Sequence, residues 1–309
     1  MTNLNSIMLR GKMLLNESMA RHTSWRVGGQ ADRFYQPADL DDLVAFLTSL
    51  KENESVFWLG LGSNLLVRDG GIRGTVLATS GCLNELTILE NNRVRVEVGV
   101  ACPKLARTTA KANLAGLEFL CGIPGTLGGA LAMNAGCMGS ETWEFVESVE
   151  VMDRTGNIQL RQRSEYQASY RHVELIKKQE NEEWFVAANF KLETGQSKNG
   201  LSIIKQHLAR RSATQPTQLP NAGSVFRNPE NDYAARLIEQ CGLKNTCVGG
   251  ACVSEKHANF IINTGTATAA DIESLINKVA NTVLAETGVE LQREVHMVGE
   301  TSKPGQVND

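Results

Sequence analysis

The 309-residue sequence predicts an α+β fold made of two or three units, and three observations support this prediction. Residues 94–192 contain segments in which apolar and polar residues alternate, as they do in half-buried strands. Residues 201–284 instead carry apolar residues at helical spacing. With 42% hydrophobic residues, the chain is also long enough to bury more than one core.

The first third of the chain predicts one helix and two short strands. The helix follows Pro37 and is indicated by apolar residues at helical spacing, namely Leu40, Leu43, Val44, Leu47 and Leu50. The strands are predicted at 56–59 and 65–67. The glycine-rich residues between them therefore connect two strands, which excludes the strand-to-helix context of a Rossmann dinucleotide site.

The rest of the chain predicts strands first and helices later. Strands are expected at 94–100 and 184–192, with a hairpin at 149–160 and a domain boundary in the polar residues 193–200. Helices are expected at 201–208, 235–241 and 272–284. Thr268 and Asp271 are expected to cap the third helix, and Gly288 is expected to end it. A final strand that carries Glu294 is predicted at 289–297.

Composition excludes several classes of protein. A net charge of −3 leaves no basic excess for a nucleic acid. We expect no membrane insertion, because the charge-free residues 119–140 contain too many glycines for a lipid-facing helix and the N-terminus shows no signal pattern. The seven cysteines show no metal-binding spacing, so no metal is expected. Their odd number without a signal peptide is typical of reduced thiols in the cytoplasm.

Two glycine-rich segments are the first candidates for chemistry. In Gly60–Leu65, two glycines allow successive N–H groups to form an anion-binding nest, although a tight connection between strands is the alternative. The second segment is 123–136. Its glycine density argues against a helix or strand and indicates close approach of the backbone to a ligand, with a structural corner as the alternative. Together the segments suggest a ligand with two phosphates and a large apolar body.

Three polar residues outside these segments also invite a functional interpretation. Ser224 follows a glycine but does not satisfy the G-x-S-x-G nucleophile pattern, and a turn hydroxyl is its structural alternative. Arg171 follows Tyr170, and a solvated arginine is the alternative there. Glu294 shares a strand face with Gln292 and His296, and a solvated face is the alternative.

All of these residues lie in motifs that resemble one known family, the UDP-N-acetylenolpyruvoylglucosamine reductases, or MurB flavoenzymes, of bacterial cell-wall synthesis. The resemblance covers nearly the whole chain and rests on 23–29, 60–65, 123–136, 170–171, 223–229, 253–260 and 294–295. The short interval between Arg171 and Ser224 resembles the subtype without a substrate-capping loop. One departure is Val173, where the family often has serine.

The resemblance implies a two-part FAD-binding domain of the vanillyl-alcohol-oxidase/MurB type, followed by a smaller α+β substrate domain. The expected FAD-binding subdomains are 1–82 and 83–198, the substrate-binding domain is 199–300, and 301–309 form a C-terminal tail. FAD is expected to be noncovalent, because all five histidines lie outside the two glycine segments. The implied FAD-binding residues are Gly60, Leu61, Gly62, Ser63, Asn64, Leu65, Ile123, Pro124, Gly125, Thr126, Gly128, Gly129, Ala130, Asn134, Ala135, Gly136 and Arg211.

The resemblance also implies a reaction and a role for each catalytic residue. With NADPH as hydride donor, the enolpyruvyl group of UDP-N-acetylglucosamine enolpyruvate is reduced to give UDP-N-acetylmuramate. Ser224 would protonate the α-carbon. Arg171 would bind the carboxylate, and a protonated Glu294 would hydrogen-bond the same developing charge. Tyr170, Asn228 and His257 are implied contacts of the substrate.

The expected partners are the UDP-sugar substrate and NADPH, in the cytoplasm, and the sequence indicates no protein partner. Two other functions remain open from the sequence. One is a different FAD-dependent oxidoreductase of the same superfamily. The other is a non-catalytic nucleotide-binding protein, in which the glycine segments bind phosphates and Ser224 is structural.

Overall fold

The computed structural model describes residues 9–51, 53–177, 182–195 and 199–302. Its helices are α1 (Leu40–Ser49), α2 (Cys102–Lys111), α3 (Leu127–Ala132), α4 (Asn199–Thr214), α5 (Ala234–Gln240) and α6 (Ala269–Thr287). Its strands are β1 (Lys12–Ser18), β2 (Gln30–Gln36), β3 (Val56–Leu59), β4 (Leu65–Val67), β5 (Ile72–Ala78), β6 (Leu86–Ile88), β7 (Arg93–Glu97), β8 (Leu114–Ala115), β9 (Gly136–Cys137), β10 (Ser140–Glu141), β11 (Val146–Asp153), β12 (Ile158–Gln162), β13 (Tyr166–Ser169), β14 (His172–Leu175), β15 (Glu183–Lys191), β16 (Glu193–Thr194), β17 (Cys247–Val248), β18 (Ala251–Val253), β19 (Ile261–Asn263) and β20 (His296–Val298).

The chain forms two compact units, and each is assembled from three separate segments. The first unit comprises residues 1–14, 34–61 and 76–209, and the second comprises 15–33, 62–75 and 210–309. Antiparallel sheets and separate helices confirm the predicted α+β class. The predicted domain bounds stay a prediction, and residues 1–8 and most of the predicted tail (303–309) lie outside the described residues.

The first unit is built around an antiparallel five-stranded sheet in the order β12-β11-β15-β7-β6. The predicted alternation holds in β7, where Val94 and Val96 are buried. The predicted hairpin is present as β11 and β12. Helices α1, α2 and α3 bury apolar residues in the same core. This sheet supports the second glycine segment.

The second unit packs a three-stranded antiparallel sheet, β17-β18-β19, against α6. Helix α6 buries Ile272, Leu275, Ile276 and Val279, and each fully buried side chain of this kind contributes about 1.5–3 kcal/mol. Both predicted ends of this helix are confirmed. Thr268 and Asp271 form a reciprocal capping box, and Gly288 ends the helix with φ +73°.

Two predictions about secondary structure were wrong in part, and a tertiary contact explains the first. Residues 127–132 form the short helix α3 despite containing Gly128 and Gly129. The N–H groups of Leu127 and Gly128 donate to the carbonyl oxygens of Val100 and Val98 at 2.9 Å, and these bonds fix the first turn. The final strand spans only His296–Val298, so Glu294 precedes it.

The prediction that all cysteines are reduced thiols is also corrected. Cys247 and Cys252 form a disulfide, and the other five cysteines are not part of a disulfide. The two residues face each other in the β17–β18 hairpin, with their Cα atoms 4.1 Å apart. This proximity comes from the register of the hairpin, which the spacing of the cysteines did not reveal.

Among the described residues there is neither a membrane-spanning helix nor a cluster of metal ligands. No helix there is long and apolar enough to cross a membrane. Nor does that part of the chain bring together three or more histidine, cysteine, aspartate or glutamate side chains in a group able to hold a metal ion.

Candidate active site

The loop that carries Ser224 is held on both sides by hydrogen bonds of asparagine residues. Gly223 has φ +77°, a conformation that glycine adopts without strain, and its N–H donates to Asn221 Oδ1 at 3.0 Å. On the other side, the N–H of Val225 donates to the carbonyl oxygen of Asn259 at 2.9 Å. These bonds fix the backbone immediately before and after Ser224.

Asn259 acts as a buried clamp on this loop. Its side chain accepts from the N–H of Phe226 at 3.0 Å and donates to the carbonyl oxygen of Phe226 at 2.8 Å. The residue is 3% exposed. Buried amides need such partners, so the clamp specifies one loop conformation. Sequence reasoning placed Asn259 in a family motif but assigned it no role.

A short antiparallel pairing brings Glu294 beside Ser224. The N–H of Glu294 donates to the carbonyl oxygen of Val225 at 2.8 Å, and the N–H of Arg227 donates to that of Gln292 at 2.8 Å. Between these two bonds, Phe226 and Arg293 form an antiparallel bridge. The two predicted catalytic residues of the second unit therefore lie on adjacent backbone stretches.

The hydroxyl of Ser224 has no hydrogen-bond partner among the described residues, and the residue is partly exposed. The structural alternative was that the Ser224 hydroxyl supports the turn. Side-chain amides support this turn instead. Asn221 Nδ2 donates to the carbonyl oxygens of Pro216 and Leu219, and Asn228 Oδ1 accepts from the N–H of Ala234 at 3.1 Å. The Ser224 hydroxyl is thus available to a bound molecule.

The first glycine segment is joined to Glu294 within the second unit. Asn64 Nδ2 donates to the carbonyl oxygen of Glu294 at 3.0 Å, and the carbonyl oxygen of Asn64 accepts from the N–H of His296 at 3.1 Å. The parallel pairing of β20 with β4 continues this contact. Gly62, with φ +64°, lies so close to the carbonyl oxygen of His22 that a Cβ there would stand 2.0 Å from it.

His257 is held as a neutral ring in the second unit. Its Nδ1 accepts from the N–H of Asn259 at 3.3 Å, and its ring packs edge-on against Phe260 with centroids 4.7 Å apart. Burial lowers the pKa of His257 below its usual value. A neutral imidazole that accepts at Nδ1 presents its Nε2–H as a donor. Asn228, by contrast, is exposed.

Arg171 lies in the first unit, in the two-residue turn between β13 and β14. Its φ is +56°, a left-handed conformation that an arginine rarely adopts. Its guanidinium donates to the carbonyl oxygen of Gly136 at 2.8 Å and to that of Asn134 at 3.4 Å, and its Cζ lies 4.8 Å from the ring centre of Tyr170. Strain of this kind persists where the surrounding contacts hold it in place.

The side chain of Asn134 supports the Arg171 turn from the second glycine segment. Its Nδ2 donates to Glu141 Oε2 at 2.7 Å and to the carbonyl oxygen of Ser169 at 3.0 Å. Its Oδ1 accepts from the N–H of Trp143 at 3.1 Å. In the structure the Asn134 side chain therefore bonds to the strand that leads into the Arg171 turn. The expected contact of Asn134 with FAD stays a prediction.

The remaining glycine positions of the first unit fit a flat ligand that carries polar groups. Thr126 Oγ1 is buried, and no partner for it exists among the described residues. A Cβ on Gly60 would stand 2.4 Å from this oxygen, so glycine is required there. Gly60, Gly128 and Gly129 line a cavity of about 240 Å³. A buried hydroxyl without a partner, next to backbone that carries no side chains, fits a cofactor whose polar group would form the missing hydrogen bond to Thr126.

The structure therefore groups the predicted residues in two sets, one in each unit. Arg171, Tyr170 and the second glycine segment lie in the first unit, whereas Ser224, Glu294, Asn228 and His257 lie in the second. Arg211, in the last turn of α4, donates from Nε to Gln215 Oε1 at 3.1 Å.

Comparison with known proteins gives consistent matches along the chain. Residues 31–160 match the family model of the FAD binding domain, and residues 215–298 match that of the UDP-N-acetylenolpyruvoylglucosamine reductase C-terminal domain. A UDP-N-acetylenolpyruvoylglucosamine reductase of Methylococcus capsulatus is 56% identical over 94% of this chain and 94% of its own. One from Legionella pneumophila is 54% identical over 95% of this chain and 94% of its own.

A solved structure agrees with these sequence matches. The UDP-N-acetylenolpyruvylglucosamine reductase (MurB) of Thermus caldophilus superimposes with a TM-score of 0.78 and 30% identity. The match covers 94% of this chain and 99% of that one. The likeness therefore extends over both units.

Proposed function

Because the chain belongs to the UDP-N-acetylenolpyruvoylglucosamine reductase family, it is a flavoenzyme that reduces an enolpyruvyl sugar nucleotide with NADPH in peptidoglycan synthesis, and we propose that Ser224, Arg171 and Glu294 serve the second half of that reaction. Family membership decides among the three functions that the sequence left open. The roles of the three residues are our proposal.

FAD, when bound, supplies the hydride chemistry that links NADPH to the enolpyruvyl group. A hydride added to the β-carbon of that group leaves negative charge on the α-carbon and its carboxylate. The residues of the site then have two tasks. They must stabilise the charge and deliver a proton to the α-carbon.

The availability of the Ser224 hydroxyl is the observation that carries the proposal. The hydroxyl is partly exposed, lacks a partner among the described residues, and stands on a loop that Asn221 and Asn259 hold rigidly. We assign it as the proton donor to the α-carbon. An alcohol is a weak acid, but a carbanion-like centre is basic enough to take its proton.

Arg171 is proposed to bind the carboxylate. Its guanidinium is permanently charged and presents paired N–H donors that match a carboxylate. Two carbonyl oxygens of the second glycine segment orient it, and its left-handed backbone is the kind of strain found at functional sites. Glu294 is proposed to hydrogen-bond the same developing charge in its protonated form.

The two glycine segments are proposed to hold FAD noncovalently. The orphan hydroxyl of Thr126 and the bare backbone at Gly60, Gly128 and Gly129 support this placement. Tyr170, Asn228 and His257 are proposed to contact the substrate, and Arg211 the cofactor. We also propose a cytoplasmic location, because NADPH and nucleotide sugars are available there.

An anaerobic experiment in two stages tests the proposal. The enzyme is first reduced with NADPH, and the enolpyruvyl substrate is then added while flavin absorbance is followed. We expect reoxidation by substrate in the parent enzyme and a much slower reoxidation in Ser224→Ala, with unchanged reduction by NADPH. Reoxidation of Ser224→Ala at the parent rate would remove Ser224 from the mechanism.

A further inference from the structure

Glu141, on β10, contacts both of the residues whose carbonyl oxygens hold Arg171. Its Oε2 accepts from Asn134 Nδ2 at 2.7 Å. Its main chain faces Gly136 in the antiparallel pairing of β10 with β9, and a Cβ on Gly136 would stand 2.9 Å from Glu141 Cγ. The carbonyl oxygens of Asn134 and Gly136 are the two that accept from the Arg171 guanidinium. Glu141 is therefore one residue away from Arg171 by two separate routes.

The carboxylate of Glu141 decides which way the amide of Asn134 points. A carboxylate accepts hydrogen bonds and does not donate them, so the amide turns its Nδ2 toward Glu141. The same Nδ2 then donates to the carbonyl oxygen of Ser169 at 3.0 Å, while Oδ1 accepts from the N–H of Trp143 at 3.1 Å. Asn134 is 2% exposed, so a reversed amide would leave buried polar groups without partners.

The contact between Asn134 and the Arg171 turn joins two strained stretches of backbone. Both residues are left-handed, with φ +44° at Asn134 and φ +56° at Arg171. Ser169, which accepts from Asn134, pairs with His172 at the end of the hairpin of β13 and β14, so this bond fixes the backbone on the N-terminal side of Arg171. Such conformations persist only where the surrounding contacts hold them.

The side chain of Glu141 has no other task within the described parts of the chain. There it forms no ion pair, and its one hydrogen bond goes to Asn134. The hairpin of β9 and β10 is closed without it, because the N–H and Oγ1 of Thr142 both donate to the carbonyl oxygen of Ala135, at 3.0 and 2.7 Å. The shape of the hairpin thus does not explain why a carboxylate stands at this position.

We propose that Glu141 is a positioning residue for Arg171 in the reduction of the enolpyruvyl substrate. Through Asn134 and Gly136 it fixes the two carbonyl oxygens that orient the guanidinium. The inference rests on the proposed role of Arg171 at the substrate carboxylate. A guanidinium grips a carboxylate by two parallel N–H bonds, so its orientation matters. A misplacement of about 1 Å can cost ~10²-fold in rate.

Two variants of similar side-chain length test the proposal. Glu141→Gln keeps an oxygen that can accept from Asn134, whereas Glu141→Met removes it. The flavin is reduced with NADPH, and its reoxidation is followed by stopped-flow absorbance over a range of enolpyruvyl substrate concentrations. Glu141→Met should slow reoxidation by about 10- to 100-fold and raise the substrate concentration that gives half the maximal rate. Glu141→Gln should stay within about 5-fold of the parent. Flavin content and reduction by NADPH should not change in either.

A matched control and a double variant locate the effect. Glu144→Met, at an exposed carboxylate three residues further along the chain, should match the parent in both half-reactions. If Glu141 acts through Asn134, the double variant of Glu141→Met and Asn134→Ala should reoxidise no more slowly than Asn134→Ala alone. If Glu141→Met does not fold, Glu141→Ala replaces it.

Three results would overturn the proposal. The first is reoxidation of Glu141→Met at the parent rate, and the second is an equal loss in both half-reactions, which would mean that Glu141 only holds the fold. The third is a double variant whose losses multiply. Arg171→Lys separates these failures from failure of the proposed function. If Arg171→Lys slows reoxidation while Glu141→Met does not, only the role of Glu141 is wrong; if Arg171→Lys reoxidises normally, the role of Arg171 at the carboxylate is wrong.

Discussion

Asn64 holds the backbone on both sides of Val295, through a side-chain bond to Glu294 at 3.0 Å and a main-chain bond from His296 at 3.1 Å. A residue of the first glycine segment thus fixes the carbonyl group of a proposed catalytic residue. Glu294 is also tied to Val225, the neighbour of Ser224, at 2.8 Å. Consecutive hydrogen bonds therefore link Asn64, Glu294 and Val225 within the second unit, and Ser224 directly precedes Val225 in the chain.

Replacing Ser224 should separate the reduction of the flavin by NADPH from the half-reaction in which the enolpyruvyl substrate is reduced and protonated. Ser224→Ala should keep the fold, the flavin and reduction by NADPH, because the hydroxyl has no partner among the described residues. Product formation should fall by ~10²–10⁴-fold, as expected for a lost general acid. Ser224→Cys, which restores an acidic proton, should recover part of this loss. Stopped-flow absorbance measures both half-reactions. A loss of about 1 kcal/mol in stability with turnover intact would instead indicate a structural hydroxyl.

Arg171→Lys should affect the two half-reactions unequally. Lysine keeps the positive charge but lacks the planar fork that matches a carboxylate. We therefore expect nearly normal flavin reduction by NADPH and slow reoxidation by the enolpyruvyl substrate. Arg163→Lys is a matched control, because Arg163 is bonded to main-chain oxygens of Trp143 and Tyr166 and has no proposed catalytic role. Equal losses in both half-reactions of Arg171→Lys would contradict a role at the carboxylate.

Thr126→Val should change stability and cofactor affinity in opposite directions. The substitution keeps the shape of the side chain and removes a buried hydroxyl without a partner in the described structure. An unsatisfied buried group costs about 1–3 kcal/mol, so the flavin-free variant should resist urea better than the parent. FAD should bind more weakly, whereas Thr126→Ser should bind it like the parent. Weaker stability of the flavin-free valine variant would show that the hydroxyl has a partner in the protein.

His257 should make the fold sensitive to acid. Its pKa is lowered in the folded protein by burial, so near and below its ordinary pKa of about 6.5 the unfolded chain binds more protons. The free energy of unfolding should therefore fall as the pH drops through this range. Urea titrations at pH 7.5 and 5.5 should show a smaller fall in His257→Gln than in the parent. His172→Gln, at an exposed histidine, should match the parent. An unchanged fall in His257→Gln would exclude this residue as the cause.

Elements with local causes were predictable from the sequence. The two ends of α6 depend on Thr268, Asp271 and Gly288, which lie within the helix or next to it in the chain. The strands around the first glycine segment were likewise predicted at the bounds that the structure gives. In such elements the residues that decide the structure are neighbours in the sequence.

Features that depend on distant partners were not predictable. Helix α3 forms because Val98 and Val100 accept the bonds of its first turn, and the glycine count of that segment alone argued against a helix. The Cys247–Cys252 bridge depends on hairpin register. Within the site, the resemblance supplied Ser224, Arg171 and Glu294, but the buried clamp that Asn259 forms on the Ser224 loop was found only in the structure.

The interleaved order of the two units has a consequence for synthesis on the ribosome. Trp25, Val27 and Leu66 emerge early, yet the apolar partners that cover them belong to residues 210–309. All of 76–209 must be translated in between, which takes on the order of 10 s at ~5–20 residues per second. During that interval the apolar side chains of Trp25, Val27 and Leu66 stay exposed, because the residues that bury them have not yet been synthesised. Translation that stalls before residue 210 should therefore yield an aggregation-prone fragment dependent on ribosome-associated chaperones.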